Sequence, residues 1–246
     1  MGDTGGTRLA AQDLLPALRD AHDHAGPWWS VETPLEVLVG TVLVQNTAWR
    51  NVETSLGNLR EAGVHDAAGL LDLGEDRLRE LVRPSGFQNA KSQTVRGLLQ
   101  WWEARVAHPL DRPLPGGGPD PSARTGRGDP VLAHAPLLPH VPTEDLRAEL
   151  LSLRGIGPES ADVVLLSLLG RGVAVADTYA RRVLGRLGAE TPRGYRPLAR
   201  LLQGRLSLDL DGWQELHALI DEVGKSWASD ADAWAASPLG GYTLMI

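Results

Sequence analysis

The stretch that decides the fold is LRGIGPESADVVLLSLLG, residues 153–170. It is preceded by DLRAELLSL, whose leucines recur at helical spacing, and a second apolar run begins after Pro158. Gly155 and Gly157 can adopt a positive φ, and a proline at the first helical position sacrifices no backbone hydrogen bond. The pattern therefore predicts two helices joined by a four-residue turn, with Thr143 capping the first helix.

The backbone of this turn is the next informative feature. Glycines place no side chain over the neighbouring N–H groups, so these groups stay open at the N-terminus of the second helix, where an anion binds favourably. An isolated Gly-x-Gly is more often an ordinary helical hairpin without a ligand. The longer pattern L-x-G-I-G-P-x-x-A favours a hairpin that holds a DNA phosphate without reading the bases.

The remainder of the chain is also helical in pattern. Apolar residues recur every three or four positions in most segments, whereas the only extended candidate, Val173–Ala176, is too short to propose a sheet. Residues 107–142 are rich in proline and glycine and have no periodicity, which predicts a long loop, either mobile or lying on the surface. His134 and His140 in this loop have no acidic or thiol neighbours, so no metal site formed by side chains is expected. The predicted fold class is all-α.

Composition excludes several classes of protein. The chain has no cysteine, which rules out disulfides and any iron–sulfur cluster held by cysteine. No apolar run reaches the ~20 residues of a membrane span, and the first residues lack a signal peptide, so we expect a cytoplasmic protein that does not enter a membrane. The net charge is −7, yet residues 143–205 carry ten arginines against seven acidic residues. This asymmetry fits either a basic face for phosphates or a random fluctuation.

Asp177 is the candidate reactive side chain. It precedes TYARRVLGRLG, a helical segment rich in arginine, in the position of a helix N-cap. An unplaced aspartate in that position is usually only a cap. Capping is compatible with catalysis, however, because a carboxylate that faces helix N–H groups stays ionised at neutral pH and can face developing positive charge.

The hairpin followed by A-D-T-Y-x-R-R, with Asp177 twenty residues after Gly157, resembles the DNA glycosylases of the endonuclease III superfamily. The resemblance covers residues 28–225 except the proline- and glycine-rich insert. It implies two helical domains with a DNA-binding cleft between them, into which a damaged nucleotide is flipped from double-stranded DNA. We expect one domain at 30–165, with the insert at 107–142, and a second formed by 1–29 and 166–246.

The resemblance also implies roles for single residues. Asp177 matches the catalytic aspartate, which stabilises the oxocarbenium character of the sugar and positions water. Gln45 matches a polar residue that enters the gap left by the flipped nucleotide, and Phe87 lies where relatives place a wedge between bases, although a core position for Phe87 is the alternative. The hairpin would grip a phosphate, and its carbonyls would hold a monovalent cation. The residues that would bind the phosphate are Gly155, Ile156 and Gly157.

Two departures narrow the choice within the superfamily. Glu159 stands where members that also cut the strand carry a Schiff-base lysine, and the chain has only two lysines, Lys91 and Lys225. We therefore expect base removal without strand cleavage at the abasic site. The missing cysteines exclude the iron–sulfur cluster of many relatives, so packing must replace it, and no other cofactor is expected. A buried Lys225 in that region would need a partner or a covalent modification.

The segment PWWSVETPLEVLVGTVLVQNTAWRNV resembles the cluster-free 3-methyladenine DNA glycosylases of the same superfamily. By that resemblance, Trp28, Trp29 and Trp49 line the base pocket, where indole rings suit an electron-poor, often cationic, alkylated purine. The alternative is that the three tryptophans pack a core. Ser30 stands where a proline is expected after the tryptophan pair, which affects the shape of the pocket.

Together these features predict a monomeric, monofunctional DNA glycosylase of base excision repair. Its expected substrate is an alkylated purine, foremost 3-methyladenine, in double-stranded DNA. A glycosylase for an oxidised pyrimidine or a mismatched base is the nearest alternative. A non-catalytic protein that binds DNA structures is the alternative from another class.

Overall fold

The computed structural model describes residues 7–22, 31, 33–107, 109–111 and 136–246. These residues fall into two compact units. The terminal unit comprises residues 7–22 and 172–246, and the hairpin unit comprises the described residues from 31 to 171. Within the described part of the chain, every helix is too short or too polar to cross a membrane.

Twelve α-helices and two short strands account for most of the described residues. In chain order they are β1 (Thr7–Ala10), α1 (Leu14–Ala21), α2 (Pro34–Leu43), α3 (Trp49–Glu61), α4 (Ala67–Asp72), α5 (Glu75–Leu81), α6 (Gln88–Arg105), α7 (Thr143–Ser152), α8 (Pro158–Ser167), α9 (Thr178–Arg186), α10 (Tyr195–Arg205), α11 (Leu210–Ser226), α12 (Ala231–Ala236) and β2 (Tyr242–Met245). Single 3₁₀ turns lie at Ala11–Asp13 and Arg83–Ser85. The all-α prediction is confirmed.

Helix α2 is the centre of the hairpin unit. All of its residues are buried, which explains why PLEVLVGTVL is apolar on every side rather than along one stripe. Helices α3, α6 and α8 pack around it. Its one carboxylate, Glu36, is satisfied by Arg60 of α3, whose Nε lies 2.5 Å from Oε1, and Thr33 caps the helix by accepting from the Glu36 N–H.

The terminal unit is built on the pair α9 and α11, with α1 packed on the other side of α11. Gly224 of α11 lets α9 approach closely, because a Cβ there would lie 2.7 Å from Cδ1 of Tyr179. Arg19 of α1 donates to Glu215 of α11 at 2.7 Å. Trp213 and Trp234 are buried in this unit, so large apolar side chains fill the C-terminal region.

The sequence predicts no sheet, but the terminal unit contains one. Strands β1 and β2 pair in parallel, with Thr7 opposite Tyr242 and Ala10 opposite Met245. Four-residue strands are too short to show an alternating pattern. The segment Val173–Ala176, the only extended candidate in the sequence, is buried and in no strand, and its Ala174 N–H donates to the Gln203 side chain.

Two further boundaries differ from expectation. Thr143 is the first residue of α7, and Pro142 occupies the N-cap without a side-chain bond, because the extended backbone of the proline already ends the preceding segment. The unit boundary lies between residues 171 and 172 rather than between 165 and 166. Arg171 stays with the hairpin unit because its side chain donates to the carbonyls of Leu137 and Leu138, at the end of the predicted insert.

Candidate functional site

The turn between α7 and α8 has the predicted hairpin form, but its two glycines differ. Gly155 has φ +85°, and a Cβ there would lie 2.2 Å from Oγ1 of Thr94 on α6, so no other residue fits. Gly157 has an ordinary φ of −93° as the N-cap of α8, and a Cβ there would meet nothing within 4 Å. The expectation of positive φ therefore holds only for Gly155, and folding alone does not explain Gly157.

The amides of this turn are divided between structure and solvent. The N–H of Ile156 donates to the carbonyl of Leu153 at 3.2 Å, and the Ile156 side chain is 6% exposed, so this residue belongs to the core. The N–H groups of Gly155 and Gly157 make no hydrogen bond with described residues. Two backbone donors at the start of a helix are available for an anion such as a phosphate.

The carbonyls of the turn are already engaged. Those of Leu153 and Gly157 accept from the N–H groups of Ile156 and Ala161, and that of Gly155 accepts from Nε2 of Gln45. Each keeps one lone pair at most for a metal ion. The monovalent cation stays a prediction, and no step proposed below depends on it.

Gln45 lies just beyond α2 and reaches the hairpin. Its Nε2 donates to the Gly155 carbonyl at 3.1 Å and to Oγ of Ser160 at 3.0 Å. The chain turns sharply after it, because Asn46 has φ +55°. Gln45, which is predicted to fill the gap in the duplex, is thus held beside the hairpin turn that is predicted to bind a phosphate.

Phe87 is 69% exposed, so the alternative of a core position is wrong. It has a left-handed backbone, φ +46°, directly after Gly86 at φ +71°. A non-glycine residue in that region is strained, and such strain is concentrated at functional positions. A large aromatic ring presented to solvent on a strained turn is suited to insertion between bases.

Lys91 lies inside the hairpin unit and is hydrogen-bonded to the segments that precede Gln45 and Phe87. Its Nζ donates to the carbonyl of Leu43 at 2.8 Å and to that of Ser85 at 2.6 Å, two residues before Gln45 and Phe87 respectively. The side chain is 4% exposed, and burial lowers the pKa of its ammonium group. Lys91 therefore ties the end of α2 to the turn that carries Phe87.

Of the three predicted pocket tryptophans, only Trp49 lies within the described residues; Trp28 and Trp29 lie outside them. Trp49 is the half-buried first residue of α3. Its indole rests on α2 where that helix has no side chain, because a Cβ at Gly40 would lie 3.4 Å from Cη2. The far end of the ring therefore lies in van der Waals reach of the helix at Gly40.

Asp177 caps α9 as predicted. Its Oδ1 accepts from the Ala180 N–H at 2.8 Å, so the carboxylate sits at the positive end of that helix. One oxygen is fixed by the backbone, which leaves the second for other partners.

A polar stripe on α11, formed by His217, Asp221 and Lys225, was not predicted. Asp177, His217 and Asp221 each bring a nitrogen or oxygen atom to within 4.8 Å of the others. The four-residue spacing of H-x-x-x-D-x-x-x-K in HALIDEVGK places the three on one face of a helix, which is the signal that could have revealed them. The stripe gathers three titratable groups at the catalytic candidate.

Burial and like charge govern the electrostatics of this cluster. Burial and the neighbouring Asp221 raise the pKa of Asp177 to about 6, against the opposing effects of His217 and the Ala180 N–H. Burial and Asp221 therefore affect the pKa of Asp177 more than the N-terminus of α9 does. The carboxyl group is still mostly ionised at neutral pH. Burial also raises the pKa of Asp221 and lowers that of His217, which favours a neutral imidazole.

Lys225 is not fully buried, because 37% of its side chain is exposed, and it has carboxylate partners. Its Nζ lies 3.5 Å from Oδ2 of Asp221, 3.4 Å from Oε1 of Glu222 and 5.9 Å from the ring centre of Tyr179. Burial lowers the pKa of Lys225, but the two carboxylates outweigh it and the net pKa is raised. The ammonium group thus stays charged and supplies a cation next to Asp221 and Glu222.

Comparison with known proteins fits this geometry. The family model described as "HhH-GPD superfamily base excision DNA repair protein" matches residues 39–207. A Methanocaldococcus jannaschii protein named as a DNA repair glycosylase is 34% identical over 210 residues, which are 85% of this chain and 84% of that protein.

Solved structures show the same fold. The H. pylori 3-methyladenine DNA glycosylase bound to 1,N6-ethenoadenine matches with a TM-score of 0.64 and 24% identity, covering 88% of this chain and 98% of that one. An endonuclease III–DNA complex matches with a TM-score of 0.62 and 18% identity, covering 89% and 87%. The chain is a DNA glycosylase that belongs to the HhH-GPD superfamily of base excision DNA repair proteins.

Proposed function

We propose that this DNA glycosylase removes alkylated purines, foremost 3-methyladenine, from double-stranded DNA by base flipping and hydrolysis of the N-glycosidic bond. The observation that carries the proposal is the carboxyl group of Asp177, fixed by a helix N-terminus inside a cluster that raises its pKa to about 6. Such a group is ionised at neutral pH and still basic enough to accept a proton.

Asp177 acts at the sugar. As the glycosidic bond lengthens, positive charge develops on the sugar ring, and a fixed carboxylate stabilises that charge. Alkylation already weakens this bond, so little further assistance is needed. Because the ionised form is required, activity should rise with pH through about 6.

The lesion preference is supported by the indole of Trp49. Its ring lies against α2 at Gly40, and we assign it to stacking on the flipped purine, where a cationic base gains more from an indole than a neutral one. Trp28 and Trp29 are assigned to the same pocket by their sequence context. The H. pylori relative, named as a 3-methyladenine DNA glycosylase, points to the same lesion class.

The remaining contacts hold the duplex. The amides of Gly155 and Gly157 bind a backbone phosphate, with Ile156 anchoring the turn in the core. Phe87 enters the base stack, and Gln45 leaves the hairpin to occupy the position of the flipped nucleotide. These assignments require only one protein molecule, and we expect a monomer.

The proposed enzyme does not cut the strand. Glu159 is exposed in the first turn of α8, where strand-cutting relatives carry a lysine. Lys91 is enclosed by two carbonyls, and Lys225 is held in its protonated, non-nucleophilic form by two carboxylates. No lysine is thus prepared for a Schiff base.

A panel of duplexes tests the lesion preference. Each duplex carries 3-methyladenine, another alkylated purine, an oxidised pyrimidine or a mismatched base, and release of the free base is measured under single-turnover conditions. We expect the fastest release from 3-methyladenine. Faster release of an oxidised pyrimidine or a mismatched base would overturn the proposed substrate while leaving the glycosylase family intact.

A further inference from the structure

The function proposed above assigns no step of the reaction to the polar stripe of α11, although two of its members lie close to the proposed catalytic carboxylate. His217 and Asp221 bring polar atoms to within 4.8 Å of Asp177. Oδ1 of Asp221 is buried and makes no hydrogen bond with described residues. A buried carboxylate oxygen without a donor is costly for the fold unless the carboxyl group shares a proton with a neighbour, and the neighbour in hydrogen-bonding contact with Asp221 is Asp177.

We propose that Asp221 and His217 are positioning residues, which hold the Asp177 carboxylate in place to accept a proton from the attacking water, while Lys225 neutralises Asp221. The inference rests on the proposed catalytic role of Asp177. It adds two residues to the reaction that neither the hairpin motif nor the aspartate motif includes.

The packing of α9 on α11 fixes the geometry. Tyr179 of α9 lies against Gly224 of α11, where a Cβ would approach its ring to 2.7 Å, so the two helices cannot come closer or slide freely. Asp177 lies two residues before Tyr179, and Asp221 lies three residues before Gly224. The contact therefore sets the separation of the two carboxyl groups.

The charges around Asp177 favour a basic carboxylate. On α11 it meets Asp221 and His217, with Glu222 and Lys225 beyond them; on α9, Arg182 lies 5.4 Å from the ring centre of Tyr179. The negative charge of Asp221 increases the proton affinity of Asp177. Lys225, 3.5 Å from Asp221, opposes the effect of burial on that second carboxyl group, whose net pKa is still raised.

The proton balance of the reaction fits this arrangement. The C–N glycosidic bond breaks, and the cationic alkylated base leaves as a neutral molecule because it takes the bonding electron pair. Water forms the new C–O bond and loses one proton, which Asp177 accepts. Protonated Asp177 can then hydrogen-bond to Asp221, and the proton passes to solvent before the next turnover.

The test compares the wild type with Asp221→Asn and His217→Gln. Single-turnover release of 3-methyladenine is followed between pH 5 and 9, together with the melting temperature and the affinity for abasic-site DNA. We expect each variant to lose roughly 10-fold or more in the plateau rate with unchanged DNA affinity. Asp221→Asn should also move the acidic limb of the pH–rate profile to lower pH, because it removes the negative charge that raises the pKa of Asp177.

The matched control is Asp211→Asn, the same change on an exposed residue in the first turn of α11. It should leave both the rate and the acidic limb unchanged. If Asp221→Asn does not fold, Asp221→Ser removes the same charge with a smaller side chain. A rate and limb equal to those of the wild type in a folded Asp221 variant would overturn the inference.

Two outcomes separate this inference from the proposed function. If the wild type releases no base, the proposed function fails, and the ¹³C-detected titration of Asp177 still reports the coupling: its midpoint should fall in Asp221→Asn. An unchanged midpoint would overturn the inference whatever the activity. If EDTA abolishes activity and Mn²⁺ restores it, the three residues hold a metal ion, and the positioning role is overturned.

Discussion

At the scale of the residue, Asp177 combines a proposed catalytic role with a cost in stability. Its pKa is raised to about 6 from 3.8, so the folded state binds the proton more tightly than the unfolded state. The stabilising effect of the protonated form is complete below pH 3.8 and is lost as the pH rises through about 6. Above that pH the protein retains a charge in a partly buried position, which the proposed reaction requires.

Asp177→Asn should therefore stabilise the protein in neutral and alkaline solution. Asparagine keeps the cap to the Ala180 N–H but carries no charge. We expect a higher melting temperature than that of the wild type at pH 8 and little difference at pH 4. A melting temperature that falls equally at both pH values would show that burial of the charge is not what raises the pKa.

The two hairpin glycines make a second pair of predictions at this scale. Gly157→Ala places a Cβ in open space at an ordinary φ, so the melting temperature should stay unchanged while affinity for double-stranded DNA falls. Gly155→Ala meets Thr94 and a positive φ and should destabilise the fold by about 1–3 kcal/mol. Filter binding and urea denaturation of both variants check this. Unchanged DNA affinity in Gly157→Ala would contradict the phosphate grip.

At the scale of the element, local structures could be predicted from the sequence, whereas the packing of distant elements could not. The hairpin and the cap at Asp177 follow from glycine, proline and aspartate at fixed offsets, which act within one turn of helix. The stripe on α11 consists of polar residues at helical spacing, a pattern that also describes an ordinary solvated face. Only the packing of α9 against α11 shows which face it is.

Lys91 links elements that carry the proposed DNA contacts, so its removal should affect both stability and base flipping. Lys91→Met leaves the carbonyls of Leu43 and Ser85 without their buried donor, which should cost about 1–3 kcal/mol. We also expect weaker fluorescence enhancement of 2-aminopurine placed next to the lesion. If Lys91→Met were as stable in urea as the wild type, the two hydrogen bonds of Lys91 would not hold these elements together.

At the scale of the whole molecule, the absence of cysteine and the presence of only two lysines limit the groups that could hold a cluster or form a Schiff base. Without cysteine the C-terminal region cannot bind a cysteine-ligated cluster, and buried Trp213 and Trp234 pack there. The sheet of the terminal unit joins residues 7–10 to residues 242–245. No local pattern encodes a pairing between segments so far apart in the sequence, so this sheet could not be predicted from it.

Cleavage of the strand through a Schiff base would depend on where the two lysines of the chain lie. Borohydride should trap no covalent complex between the wild type and abasic-site DNA. Glu159→Lys, which places an amine at the exposed start of α8, should give a trapped complex. A complex trapped with the wild type and lost in Lys225→Met would show that Lys225 acts as a nucleophile.

The proposed function requires Asp177 to promote the release of alkylated purine from DNA. The direct measurement is mass-spectrometric detection of free 3-methyladenine from a methylated duplex, with wild type and Asp177→Asn at pH 7.5. We predict release by the wild type and a loss of about 10²–10⁴-fold in the variant, with DNA binding retained. Equal release by both proteins, or none by the wild type, would contradict the account.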